Sequence, residues 1–112
     1  MATDNENEPL KGKAIDLKDF IEYSEGSIVS KTLVDKKTGT LTLFAFDSGQ
    51  GLSEHSAPFD AVVQIIDGEA ELVIGKKPVK AYSGQMVIMP ANIPHSVKAC
   101  GKFKMLLTMI CS

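Results

Sequence analysis

From Gly26 onward, apolar and polar positions alternate in short runs separated by Gly, Pro, Asn or Asp, which is the period of strands rather than of helices. The runs SIVSKTLV and TLTLFAFD flank Lys36-Lys37-Thr38-Gly39 and predict a hairpin. After Gly49 and Gly51 comes a short run, Leu52 to Ser56, interrupted at Pro58 and followed by AVVQII from Ala61 to Ile66. Asp67-Gly68 then reads as a two-residue type I′ turn, since that turn needs positive φ at both central positions. The returning strand, EAELVI, sets Ala70, Leu72 and Ile74 on one face and Glu69 and Glu71 on the other. A turn at Gly75-Lys76-Lys77-Pro78 leads to VKAY, Ser83-Gly84 turns into MVIM, and a loop from Pro90 to Pro94 precedes HSVKA. The last strand, FKMLLTMI, closes the chain.

Eight or nine short strands with no long helical period predict an all-β sandwich or barrel. The segment Ala14 to Tyr23 fits two patterns. Ile15 and Leu17 alternate as in a strand, while Leu17, Phe20 and Ile21 suit one helical turn. Residues 1–13 are polar, acidic and aperiodic, and predict a disordered tail ahead of a single domain over 14–112.

Composition narrows the function classes. A chain of 112 residues with 44% apolar content holds one core without disulfide staples. Its net charge is −2, and the basic residues are scattered rather than gathered, which argues against a nucleic-acid partner. All twelve are lysine, so no guanidinium fork is present to grip phosphate. Cys100 and Cys111 have no CxxC spacing and read as small buried hydrophobes in reduced cytosol. No secretory leader and no apolar run of bilayer length is evident, so a cytoplasmic protein with no membrane partner is expected.

The two histidines carry the candidate chemistry. His55 follows Gly49 in GQGLSEHSAPFDAVVQIIDG, and His95 follows Gly84 in GQMVIMPANIPHSVKA. These stretches resemble the cupin motifs, G-x5-H-x-H-x3or4-E-x6-G and G-x5-P-x-G-x2-H-x3-N. Gly49, His55 and Gly68 fall in register in the first; Ala57 stands at the second histidine position and Ala61 at the glutamate position. In the second, Gly84, Pro90 and His95 match, with Asn92 at the glycine and Ala99 at the asparagine. The resemblance covers about Gly26 to Ile110. It implies a small double-stranded β-helix, or jelly-roll barrel, in which three histidines and a glutamate would hold one divalent ion. Only His55 and His95 remain as metal or ligand-binding residues, for iron, manganese, nickel or zinc.

Strand alternation sends Glu54 outward if His55 points in, and places Val63 and Ile65 inward behind Ala61 with Gln64 outward. Asp60 sits at the strand entrance. Met86, Met89, Met105 and Met109 are candidate cavity residues that read first as core packing. Three functions follow: a small-molecule-binding module with a weak two-histidine metal site, a metal-dependent oxygenase or isomerase, or a structural or regulatory subunit. By analogy with small cupins the chain is expected to form a homodimer, with FKMLLTMI as an apolar edge strand to be covered.

Overall fold

The computed structural model describes residues 10–111. Eight strands make up the body: β1 (Ile28–Lys36), β2 (Gly39–Phe46), β3 (Gly51–His55), β4 (Ala61–Ile74), β5 (Lys77–Tyr82), β6 (Met86–Met89), β7 (His95–Lys98) and β8 (Phe103–Ile110). All pairings are antiparallel, along the path β1-β2-β8-β4-β7-β3, with β5 and β6 on the other flank of β4. The all-β jelly-roll expectation holds. The β1–β2 hairpin forms as predicted, with Lys36 opposite Gly39 across a two-residue loop.

The architecture turns on β4, where the predicted Asp67-Gly68 hairpin does not exist. β4 is a single strand of 14 residues. Its first part pairs with β6 on one side and β8 on the other. Its second part pairs with β5 and β7. One long strand thereby belongs to two walls of the barrel. Between them the register shifts at Ile65/Asp67, and Gly68 takes φ 76°. The buried set moves from Ala61, Val63 and Ile65 to Ala70 and Leu72, a change of parity that one extra residue in a strand produces. A Cβ at Gly68 would collide with the Lys102 carbonyl oxygen, so the corner needs glycine for space as well as for φ.

The chain does reverse at Gly75-Lys76. Only Gly75 has positive φ there, as a type II′ turn requires, and Ile74 then faces Lys77. The predicted turn at Ser83-Gly84 is likewise a corner rather than a reversal, because β5 and β6 both run antiparallel to β4. Bonds from Ser83 N–H to the Gly68 carbonyl and from Gly84 N–H to the Ile65 carbonyl hold the two corners together.

The core fills the space between the walls. Phe46 and Phe103 are cross-strand partners whose rings stack at 4.5 Å between centroids, and Val63, Ile65, Leu72 and Met105 pack in the same cluster. A second cluster lies on the outer side of β1, β2 and β8, where Leu33, Leu43 and Ala45 pack with the fully buried Ile21. This explains why LTLFAF reads as nearly continuous apolar sequence, since both faces of β2 are covered. Ala14 to Tyr23 is neither strand nor helix but a strap of turns and bends. It is fastened at the β4 corner, where Tyr23 donates to Asp67 at 2.8 Å and the buried Lys104 ammonium donates to the Lys18 carbonyl beneath the Tyr23 ring. Of the expected tail, residues 1–9 lie outside the described residues, and Leu10 packs against the second cluster.

Two expectations are corrected here. FKMLLTMI is not an edge strand: β8 lies between β2 and β4, and its alternate residues serve the two clusters. The edges are β1, β3, β5 and β6. Cys100 is exposed and Cys111 half-buried, both as free thiols, because Cys100 falls in the loop between β7 and β8 rather than on a core-facing strand position.

Candidate functional site

His55 and His95 are directly opposite each other in the β3–β7 pair. Their rings meet edge to face, with centroids 4.4 Å apart and planes at 72°. A bulge between Leu52 and His55 makes this possible. Strict alternation would send residues three apart to opposite faces, but the extra residue resets the phase, and both Leu52 and His55 line the same cavity. His55 is exposed at the mouth; His95, on a strand flanked by both β3 and β4, is buried at 5% exposure.

Each ring is oriented by a carbonyl two residues upstream. His55 Nδ1 lies 2.8 Å from the Ser53 oxygen, and His95 Nδ1 lies 3.2 Å from the Ile93 oxygen. A carbonyl only accepts, so each Nδ1 is the protonated nitrogen and the neutral ring keeps its Nε2 lone pair free. Burial pushes the His95 pKa below its ordinary value, the nearby His55 adds to that, and the Ile93 carbonyl opposes it without prevailing. His95 is therefore a neutral imidazole across a wider pH range than a free one.

The cavity has a volume of about 60 Å³. Besides the histidines its wall includes Ala57 and Ala61, so all four positions matched to the family's ligand set surround one space. The rest is apolar: Leu52, Val97 and Leu107, with Met89, Met105 and Met109. Met86 does not join them, since it is 54% exposed on β6. Asp60 does not swing in; its carboxylate accepts from the Ala91 N–H at 2.8 Å outside the cavity. Glu54 is exposed, Val63 and Ile65 are buried behind Ala61, and Gln64 is exposed, as alternation required.

Asn92 explains one departure from the motif. It has φ 66° and is the one positive-φ residue other than glycine among the described residues. Asparagine tolerates that region better than most residues, so it substitutes for the motif glycine without forcing a new backbone path. Its N–H donates to the Ala57 carbonyl at 2.7 Å, tying the two histidine stretches together. What the sequence did not reveal were Leu52, Val97 and Leu107 as cavity walls and the two orienting carbonyls. The bulge that turns Leu52 inward has no residue signature, and every residue carries a carbonyl.

A resident divalent ion of the family type does not fit this donor set. Among the described residues no group of three His, Cys, Asp or Glu side chains converges to hold a metal ion. Two imidazoles supply neither the third protein ligand usual at catalytic centres nor a neutralising carboxylate.

A jelly roll with a histidine pair in its cavity defines the class of protein. The family model described as a cupin domain matches residues 42–111, and the chain belongs to that family. It is similar to a conserved protein of unknown function from Streptococcus pyogenes, with 36% identity over 90% of this chain and 89% of that one, at a TM-score of 0.86. A cupin 2 conserved barrel domain protein from Leptotrichia buccalis shares 41% identity over 83% of this chain, at a TM-score of 0.80, and this chain covers 45% of it. A cupin superfamily protein from Desulfitobacterium hafniense, 24% identical over 91% of this chain and 94% of that one, has the same fold at a TM-score of 0.85. No curated protein matches the chain. No helix among the described residues is long and apolar enough to cross a membrane.

Proposed function

We propose that this cupin is a binding protein for a compact ligand taken by the Nε2 atoms of His55 and His95. The ligand is a small molecule with an acidic N–H or O–H, or a divalent transition ion held weakly with water completing its shell. One observation carries the reading: both rings commit Nδ1 to a backbone carbonyl and leave Nε2 bare beside the cavity. Such a lone pair serves as hydrogen-bond acceptor or as metal ligand. The small volume supports a compact occupant, since pockets for drug-sized ligands run to roughly 300–1,000 Å³. Loss of half the family's ligand set weighs against an oxygenase or isomerase.

The test is a zinc or nickel titration of untagged protein, followed through the imidazole nitrogen resonances. Both Nε2 signals are expected to shift together, and His95→Ala to abolish the response. Equal metal affinity in the parent, His55→Ala and His95→Ala would refute the reading.

We further propose that the protein acts in the cytoplasm as a homodimer. The paired surface is the β6 edge, where Met86 and Ile88 are both more than half exposed, rather than β8. Sedimentation is expected to give a dimer at micromolar concentration and a monomer for Ile88→Lys. A monomeric parent removes this part.

A further inference from the structure

The groups around the histidine pair are soft and uncharged. From this we infer that the ion this site selects is monovalent copper, bound by the Nε2 atoms of His55 and His95 and the thioether sulfurs of Met89 and Met109. The inference rests on the reading of the two histidines as a binding pair.

The register places the two methionines. Met89 on β6 and Met109 on β8 are the two cross-strand partners of Ala61, one on each side. Directly opposed residues share a face, with Cβ atoms about 4.5–5.5 Å apart. Ala61 stands where the family pattern has its carboxylate, so the position that would supply a hard anionic oxygen is flanked on both sides by thioethers. All three residues line the cavity together with both histidines.

Donor chemistry, charge and hydration then point the same way. Thioether sulfur suits Cu(I), whereas divalent iron, manganese and zinc favour oxygen, imidazole or thiolate. The cost of moving an ion out of water grows with the square of its charge, so a divalent ion meets roughly four times the desolvation penalty of a monovalent one. No carboxylate is among the residues that line the cavity to offset it. A divalent ion on two imidazoles also needs roughly two to four further ligands, supplied here by water. Those waters would face Leu52, Ala57, Val97 and Leu107, whose side chains accept no hydrogen bond. Cu(I) with two imidazoles and a thioether needs none. Methionine is flexible enough to turn its sulfur toward an ion without moving the strands.

The experiment uses the full chain with Cys100→Ser and Cys111→Ser, because free thiols would bind Cu(I) by themselves. Cu(I) held reduced by ascorbate is titrated without oxygen against a chromophoric Cu(I) chelator, and Zn(II) is titrated in parallel. We expect one Cu(I) per chain, with affinity reduced about 10–100-fold or more by His95→Ala and by the pair Met89→Leu and Met109→Leu. Zn(II) binding should be unmoved by the leucine pair, and the sulfur scattering in the copper absorption fine structure should disappear with it. Leucine for methionine conserves volume, so an unchanged unfolding midpoint accompanies the loss. If the leucine pair binds Cu(I) as tightly as its parent, or if Zn(II) outcompetes Cu(I), the methionines are packing and the copper inference fails while the histidine pair stands. If His95→Ala alters neither metal, both readings fail.

Discussion

Replacing Ala61 by glutamate puts a carboxyl where the cavity has none. Ala61 is 3% exposed and lines the cavity with both histidines. Desolvation there favours the neutral acid, while the unfolded chain ionises it near the ordinary value of about 4.3. The folded-state pKa thus lies above the unfolded one. As pH rises past about 4.3 the unfolded chain releases the proton first, and stability falls until the folded pKa is reached. Each pH unit in that window is worth about 1.4 kcal/mol, so a carboxyl still protonated in the fold at pH 7 costs close to 4 kcal/mol. That is a large share of the roughly 5–15 kcal/mol of a small domain. Zinc offsets most of this loss, because two imidazoles and a carboxylate make a three-ligand set, and an ion at a hundred times its Kd returns about 2.7 kcal/mol. Urea unfolding of Ala61→Glu and Ala61→Gln from about pH 5 to about pH 7, with and without zinc, measures both effects. A loss independent of pH and equal to that of the glutamine variant would show that the side chain reaches water. Failure to gain zinc binding would show that position 61 and the two histidines do not converge.

Other outcomes follow from the same geometry. Gly68→Ala is expected to lower stability by at least ~2 kcal/mol, since the left-handed φ alone costs about 1–2 kcal/mol and the Lys102 carbonyl blocks the new methyl; a loss below ~0.5 kcal/mol would mean that the corner relaxes freely. Tyr23→Phe keeps the ring and removes the bond to Asp67, so about 1 kcal/mol and faster amide exchange from Asp16 to Tyr23 are expected. Unchanged exchange would assign the strap to the burial of Ile21 alone. Because the His95 pKa is lowered in the fold, the unfolded chain takes up that proton first as pH falls; stability from this group is full above about pH 6.5 and declines below it. His95→Gln should flatten the urea midpoint in that window, and an identical slope would trace the dependence to other groups.

Much of this was legible because burial writes itself into alternation. Ala61, Val63 and Ile65 announced one inward face, and the two histidine stretches met as their motif spacing implied. The Asp67-Gly68 corner was not legible for a local reason. A dipeptide that supplies positive φ serves a reversal or a bend equally well, and the choice lies with the partner strand. Here Lys77–Tyr82 captures Glu69–Ile74 through the tight Gly75-Lys76 turn, which leaves Gly68 only the bend. β8 misled for a related reason: apolar residues on both faces suit an edge awaiting a partner or an interior strand, and what settles it is pairing with β2 on one side and β4 on the other, beneath a strap from Ala14 to Tyr23 that has no regular period. The inward turn of Leu52 depends on a bulge that no residue type marks.

His55 sits on a short edge strand of the barrel. β3 has five residues, four of them exposed, and among the described residues its hydrogen-bonded neighbour is β7 alone. Peeling it back removes one imidazole from the pair while Phe46, Phe103 and the rest of the core stay in place, so it is the kind of opening that requires far less than global unfolding. For an occupant held between the two histidines, fraying of this single ribbon would open a route of entry and exit. Substitutions that stiffen Gly51 to His55 would lengthen residence without altering how firmly the barrel as a whole resists denaturation.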